Sequence, residues 1–229
     1  TIVSLLALVL LASANLTKDE VARLRSEILP IEKIPSSNIP PAPVFPANYT
    51  TAFTSLYTLP GVDPYLLAGF IHVDFEQQKE RVDGVINEGF VSMVLEFRTR
   101  ENPLGKLLYG SQILGESYCT SSPFPVAMLS PTVFGDEGEF MGVARASGKP
   151  CYVWNISYMG TSMSWYFPLF SVGFNPVMMV SDIEIMWFTG SHNGQSEISF
   201  DIPCESSQRA TNTVKPKLTS VLFPVRDRL

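Results

Sequence analysis

The chain predicts a mainly β protein of antiparallel strands, and three observations carry that reading. From Pro64 onward, apolar residues recur at period two over most of the sequence. The charged fraction is only 17%, while Phe, Tyr, Met and Pro are plentiful, a composition that suits sheets with many turns better than long charged helices. No helical spacing interrupts the candidate strands, so they follow one another as a meander rather than through crossovers.

The chain has 229 residues, and setting aside its two ends leaves about 160–170 for one domain with a sizeable core. Its formal net charge of −6 offers nothing to replace phosphate counterions, so nucleic acid is not an expected partner.

Ile2 to Ala14 is an apolar run too short to span a bilayer comfortably. Ala12-Ser13-Ala14 has the small-x-small form of a cleavage site, so residues 1–14 read as a signal peptide or short hydrophobic leader. Residues 15–63 read as a helix and an arm. Thr17-Lys18-Asp19-Glu20 forms a capping box, in which a hydroxyl serves an orphan amide and a Glu three residues on reaches back. Val21, Leu24 and Ile28 then repeat at helical spacing, predicting an amphipathic helix to about Leu29, with Pro30 as its stop. Pro30, Pro35, Pro40, Pro41, Pro43 and Pro46 fix φ and remove donors, so residues 30–46 are an extended arm. An SH3-type ligand is the sharper reading of such an arm. A structural arm is the one a secreted protein calls for.

Residues 64–205 are the expected β domain. Leu67 to Phe75, Arg81 to Asn87 and Phe90 to Arg98 alternate as strands, with a tight turn at Asn87-Glu88-Gly89. Val91, Met93, Leu95 and Phe97 share one face; Ser92, Glu96 and Arg98 share the other, with Val94 among them. Further strands are expected at 106–114, 139–144, 151–157, 162–169, 177–187 and 198–202, about nine in all by period. In 162–169, Met163, Trp165, Phe167 and Leu169 alternate with Ser162, Ser164, Tyr166 and Pro168. The tail, 206–229, is polar and then apolar at Val221-Leu222-Phe223, and reads as a surface strap or a free end.

Three cysteines in an oxidising compartment give one pair and one leftover, with three pairings open. Cys119–Cys204 is favoured because it would staple the start of the second half to the last strand, leaving Cys151 buried and free. Asn15, Asn48 and Asn155 each open a sequon; Asn48 on the arm and Asn155 are the candidate glycosylation sites.

Little chemistry is visible. The two histidines are His72 in a strand and His192 in a Gly-rich turn, too few for the usual catalytic zinc set. No Gly-x-Ser-x-Gly presents a serine, and a Cys151–His72 pair has only Lys149 nearby to activate the thiol. Paired carboxylates are available in Asp182 and Glu184, or among Asp136, Glu137 and Glu139. The latter three could hold Ca²⁺, a hard ion that takes several oxygens, although EF-hand spacing is missing. No other cofactor is expected, and no enzyme. The remaining signal is apolar: methionines and tryptophans at strand period are ordinarily core, but methionine also lines adaptable pockets.

Several short motifs run in a suggestive order. They are Asp74 to Val82 (DFEQQKERV), Leu107-Leu108-Tyr109 before Cys119, Pro125 to Glu139 with Phe134 and then Gly142, Val153-Trp154, Asn175-Pro176-Val177, and Phe200-Asp201-Ile202-Pro203-Cys204. In order and spacing they resemble the ependymin-related family of secreted and lysosomal glycoproteins over residues 64–205. The chain differs in having Asn175 where that pattern has a cysteine, and in carrying Cys151, the arm and the tail. The resemblance implies curved antiparallel sheets forming a half-barrel, two sheets around a hydrophobic pocket, similar to bacterial lipoprotein carriers. It also implies a secreted or endolysosomal protein that binds a lipid or other hydrophobic ligand without catalysis, often as a homodimer. Val91, Met93, Leu95 and Phe97, with Met163, Trp165 and Phe167, would then line the pocket. The alternative is a structural or adhesive subunit of an extracellular assembly, docking neighbours through arm and tail.

Overall fold

Eleven antiparallel strands form one continuous sheet in the computed structural model, which describes residues 17–28, 31–35, 39–86, 89–113, 116–170, 173–193 and 199–201. In chain order the strands are β1 (Asn48–Tyr57), β2 (Tyr65–Asp74), β3 (Lys79–Ile86), β4 (Gly89–Glu96), β5 (Lys106–Ile113), β6 (Glu116–Ser122), β7 (Glu139–Ala146), β8 (Lys149–Tyr158), β9 (Thr161–Pro168), β10 (Met178–Ser181) and β11 (Glu184–Asn193). Among the described residues two short helices accompany them, α1 (Lys18–Ile28) and α2 (Val133–Asp136).

The order across the sheet is β6-β5-β4-β3-β2-β1-β11-β10-β9-β8-β7. Two meanders, β1–β6 and β7–β11, are therefore joined where β1 pairs with β11 from Tyr49↔Asn193 to Tyr57↔Glu184. The sheet stays open: its free edges are β6 and β7, neighbours in sequence but not in hydrogen bonding. It curls so that side chains from β2–β5 and from β8–β11 meet in one core, which is the half-barrel that was expected. The two expected sheets are one, because β1 is hydrogen-bonded on both sides, to β2 and to β11.

Local sequence explains the hairpins. Ser147-Gly148 (φ 49° and 75°) and Met159-Gly160 (φ 51° and 75°) are both left-handed at two consecutive residues. Such two-residue turns match the twist of the strands they join.

The two faces are covered differently. On the inner face, Phe53, Ile71, Val82, Met93, Trp154, Trp165 and Met186 belong to the main core. On the outer face, a second core forms where α1 lays Val21 and Ile28 over Leu56, Val153, Tyr166 and Ile185. Tyr166 is thus fully buried although it lies opposite Trp165 and Phe167 in the alternation. The capping box forms as expected: the Glu20 amide donates to Thr17 Oγ1 at 3.3 Å, and the Thr17 amide donates to Glu20 Oε2 at 2.8 Å. Arg25 ties α1 down, donating to the carbonyls of Ser181 (2.8 Å) and Asp182 (2.9 Å) and to Thr58 Oγ1 (2.9 Å).

From α1 the arm rounds the β7 edge. Glu32 and Val143 exchange both backbone hydrogen bonds, at 2.7 and 2.8 Å. Gly142 permits this approach: its φ is +132°, and a Cβ there would stand 2.3 Å from the Glu32 carbonyl oxygen. The arm then enters the inner side, where Phe45 is 4% exposed. The segment linking the two free edges, 123–138, inserts Phe124, Val133 and Phe134 from the same side.

Several strands differ from the sequence reading. β1 lies within the stretch assigned to the arm, and β6, which contains Cys119, is a strand where none was expected. The expected strand 177–187 is two, β10 and β11, broken around the exposed Asp182. Ser199 to Asp201 are not strand; they lie against the outer face, where Arg81 donates to the Ser199 and Asp201 carbonyls. His192 falls in β11 rather than in a turn. The leader, the turn residues 87 and 88, Cys204 and the tail lie outside the described residues.

Candidate functional site

The inner face has an aromatic-filled region and a cavity. Around Phe45, ring centroids lie 4.3 Å away at Phe174, 5.5 Å at Phe134 and at Phe75, and 5.8 Å at Trp165. Phe134 also meets Phe167 edge-on at 5.3 Å, and Trp165 stacks on Phe188 at 5.5 Å. The Trp165 and Phe167 rings that were expected to face a ligand thus face the chain's own arm and edge-linking segment. Met163 packs at the margin of the same core, and Val91 is 2% exposed within it.

The cavity, of about 280 Å³, opens among β1–β4, β11 and the β8–β9 turn. Met93, Leu95 and Phe97 line it as expected, together with Phe53, Leu67, Ile71, Val82, Phe124, Met159, Ile183 and Met186. Val91, Met163, Trp165 and Phe167 do not.

Its polar groups are Glu80, Glu184, Tyr57 and Tyr158. Across the strands Tyr57 stands opposite Glu184 on one side and Tyr65 on the other, and the two tyrosine rings stack at 5.0 Å. Glu184 Oε1, Tyr65 Oη and Ser55 Oγ are buried and unpartnered. Burial raises the Glu80 carboxyl to about 7, with the Glu184 charge adding to the effect. Burial likewise raises Glu184, and it pushes the phenols of Tyr57 and Tyr158 up.

Glu80 went unnoticed in the sequence because the strand reading began at Arg81. Carried one residue back, period two puts Glu80 on the face of Val82, Gly84 and Ile86. Glu184 was noticed, but paired with Asp182. The structure separates them: Asp182 is exposed in the turn and Glu184 lines the cavity.

Other candidates lie apart from this site. Asp136, Glu137 and Glu139 are exposed, Thr132 Oγ1 donates to Asp136, and no group of three or more His, Cys, Asp or Glu among the described residues could hold a metal ion. His72 bonds Thr50 Oγ1 through Nδ1 at 2.9 Å, and desolvation lowers its pKa. Asn48 is half-buried, and its amide nitrogen, turned to donate, reaches Asp74 Oδ1 at 3.1 Å. Asn155 is half-buried on β8, its Oδ1 accepting from Ser162 Oγ at 2.9 Å. Cys151 is a buried free thiol, raised by burial. Among the described residues, no helix is long and apolar enough to cross a membrane.

No family model and no curated protein matches the chain. Among solved structures, PNGF-II in a P21 crystal form matches with a TM-score of 0.31 and 8% identity, over 66% of this chain and 29% of that one. Its C2 form matches with a TM-score of 0.31 and 9% identity, over 65% and 28%. The chain spans less than a third of the length of these proteins, and likenesses at this level carry no argument about fold or function.

Proposed function

We propose that this is a non-enzymatic binding protein that holds a hydrophobic ligand in the cavity on the inner face of its sheet. The cavity itself carries the reading: most of its lining is apolar, and it lies between strands and connecting segments that hold its shape. Its volume of about 280 Å³ lies just below the usual range of small-molecule sites, ~300–1,000 Å³. The ligand would therefore be compact or single-chained rather than a lipid with two full acyl chains. Affinity would come from apolar area removed from water, ~25 cal/mol per Å² before the costs of association.

The resemblance over residues 64–205 points the same way, and we assign the chain on that ground to a divergent branch of the ependymin-related group. With it go a secreted or endolysosomal location, the leader as a signal peptide, glycans at Asn48 and Asn155, and a Cys119–Cys204 disulfide. The free Cys151 is in keeping with that pairing. Asn155 is the better placed of the two sequons, because the Asn48 amide is engaged by Asp74.

The test is native mass spectrometry with organic extraction, followed by displacement of a fluorescent apolar probe. Wild type should carry or take up one small apolar molecule, and Met93→Trp, which fills the cavity, should take up none. Equal probe binding by the two proteins would end the proposal. A second reading, a structural subunit of a larger assembly, has one observation in its favour: Phe70 and Phe90 stand 40% and 47% exposed on β2 and β4. A ligand-free protein recovered only in a larger complex would favour it.

A further inference from the structure

Two features of the cavity are not accounted for by an apolar ligand alone. The first is a pair of acidic groups. Glu80 enters from β3 and Glu184 from β11, each on a strand face otherwise apolar: Val82 and Ile86 follow Glu80, and Met186 and Phe188 follow Glu184. Among the described residues, no Lys, Arg or His lines the cavity. The neighbouring cations are engaged elsewhere, Lys79 with Glu96 at 3.3 Å and Arg81 with Asp83 at 2.7 Å. The second is unmet hydrogen-bonding capacity. Glu184 Oε1, in the lining, is buried without a partner, and beside the lining so are Ser55 Oγ, across from Met186, and Tyr65 Oη, on the residue across from Tyr57. A buried carboxyl oxygen without a partner is costly, and an otherwise apolar cavity that keeps two carboxyl groups has a use for them.

We propose that the cavity is a site for a compact cationic amphiphile, an amine on a short apolar body, with its ammonium held by Glu80 and Glu184 and its apolar part against Met93, Leu95, Phe97 and Met186. This rests on the hydrophobic-ligand reading and adds the sign of the ligand's polar group. A primary ammonium has three donors and a positive charge, enough to serve both carboxylates and a hydroxyl oxygen. An alcohol has one donor and no charge. A fatty acid would bring a third carboxyl group into the same apolar space, with no cation among the described lining residues to meet it. A bare Ca²⁺ takes six to eight oxygens, more than two carboxylates among apolar side chains supply.

Calorimetric titration near neutral pH with n-octylammonium, 1-octanol and octanoate tests this. Wild type should bind octylammonium roughly tenfold or more tighter than octanol, with octanoate weakest. In the Glu80→Gln/Glu184→Gln double variant, that preference should fall below about threefold while octanol affinity stays within about twofold. If octanol and octylammonium bind wild type equally, or if the preference survives in the double variant, the charge inference is overturned and the hydrophobic site stands. If none of the three binds, both fall. The wild-type comparison alone decides the matter should the double variant fail to fold.

Discussion

Phe45 and Trp165 meet edge to face, with ring centroids 5.8 Å apart and planes at 89°. The contact joins the proline-rich arm to a central strand of the second meander. It makes the arm a filler of the half-barrel: the space that a ligand would take in front of Trp165 is occupied by the chain's own phenylalanine. The ligand site is displaced toward Met93, Leu95 and Phe97.

Truncating that filler should be expensive. Phe45 is 4% exposed and touches five other rings, so Phe45→Ala is expected to cost ~3–5 kcal/mol. Urea unfolding measures it. A loss below ~1 kcal/mol would mean that the arm is not part of the core.

Stability should rise on acidification from above neutral. The Glu80 carboxyl is raised from 4.5 to about 7 by burial and the Glu184 charge, so between those values the folded protein keeps a proton that the unfolded chain has released. The group's contribution is full below 4.5 and is lost as pH rises through about 7. It is worth at most ~3 kcal/mol. Tyr49 and Tyr158, also coupled to Glu80, are raised and stay neutral throughout. Glu184 shares the sign and His72, depressed by desolvation, opposes it. The readout is therefore the difference between wild-type and Glu80→Gln urea midpoints across this range. Parallel curves would contradict the assignment.

Gly142→Ala should detach the arm from β7. At φ +132° the new Cβ would press on the Glu32 carbonyl oxygen at 2.3 Å and on Ile31 Cγ2 at 3.0 Å, a strain of ~1–3 kcal/mol. Amide hydrogen exchange should speed up at Glu32 and Val143, which protect each other in wild type. Unchanged protection at both would show that the bridge survives a side chain there.

Alkylation without reductant should leave the native protein unlabelled and add a single label after denaturation. The one reactive group is then Cys151, buried and raised by its burial in the native state. Three labels in the denatured, unreduced chain would remove the proposed Cys119–Cys204 bridge.

Much of the architecture was legible because strand faces are written locally. The period of two placed Met93, Leu95 and Phe97 on one side of β4, and the capping box placed the start of α1. β1 was missed because prolines dominate the stretch before it, and because Thr50, Thr51 and Thr54 blur the contrast between its faces. Tyr166 alternates with Trp165 and Phe167 and shares its face with Ser162 and Ser164, so its burial is not written locally; it comes from the second core that α1 forms on the outer face.

The sequence by itself determined which residues alternate along β2, β3, β4 and β9, and where the capping box starts α1. The tertiary structure alone decided that β1 pairs with β11, that Phe45 fills the space before Trp165, and that Glu80 and Glu184 share one cavity. The physical reason is range. Alternation and turn geometry depend on neighbours a few residues away. Filling an interior depends on the volumes of side chains far apart in sequence, and the charge state of a buried carboxyl depends on what those side chains leave unfilled around it.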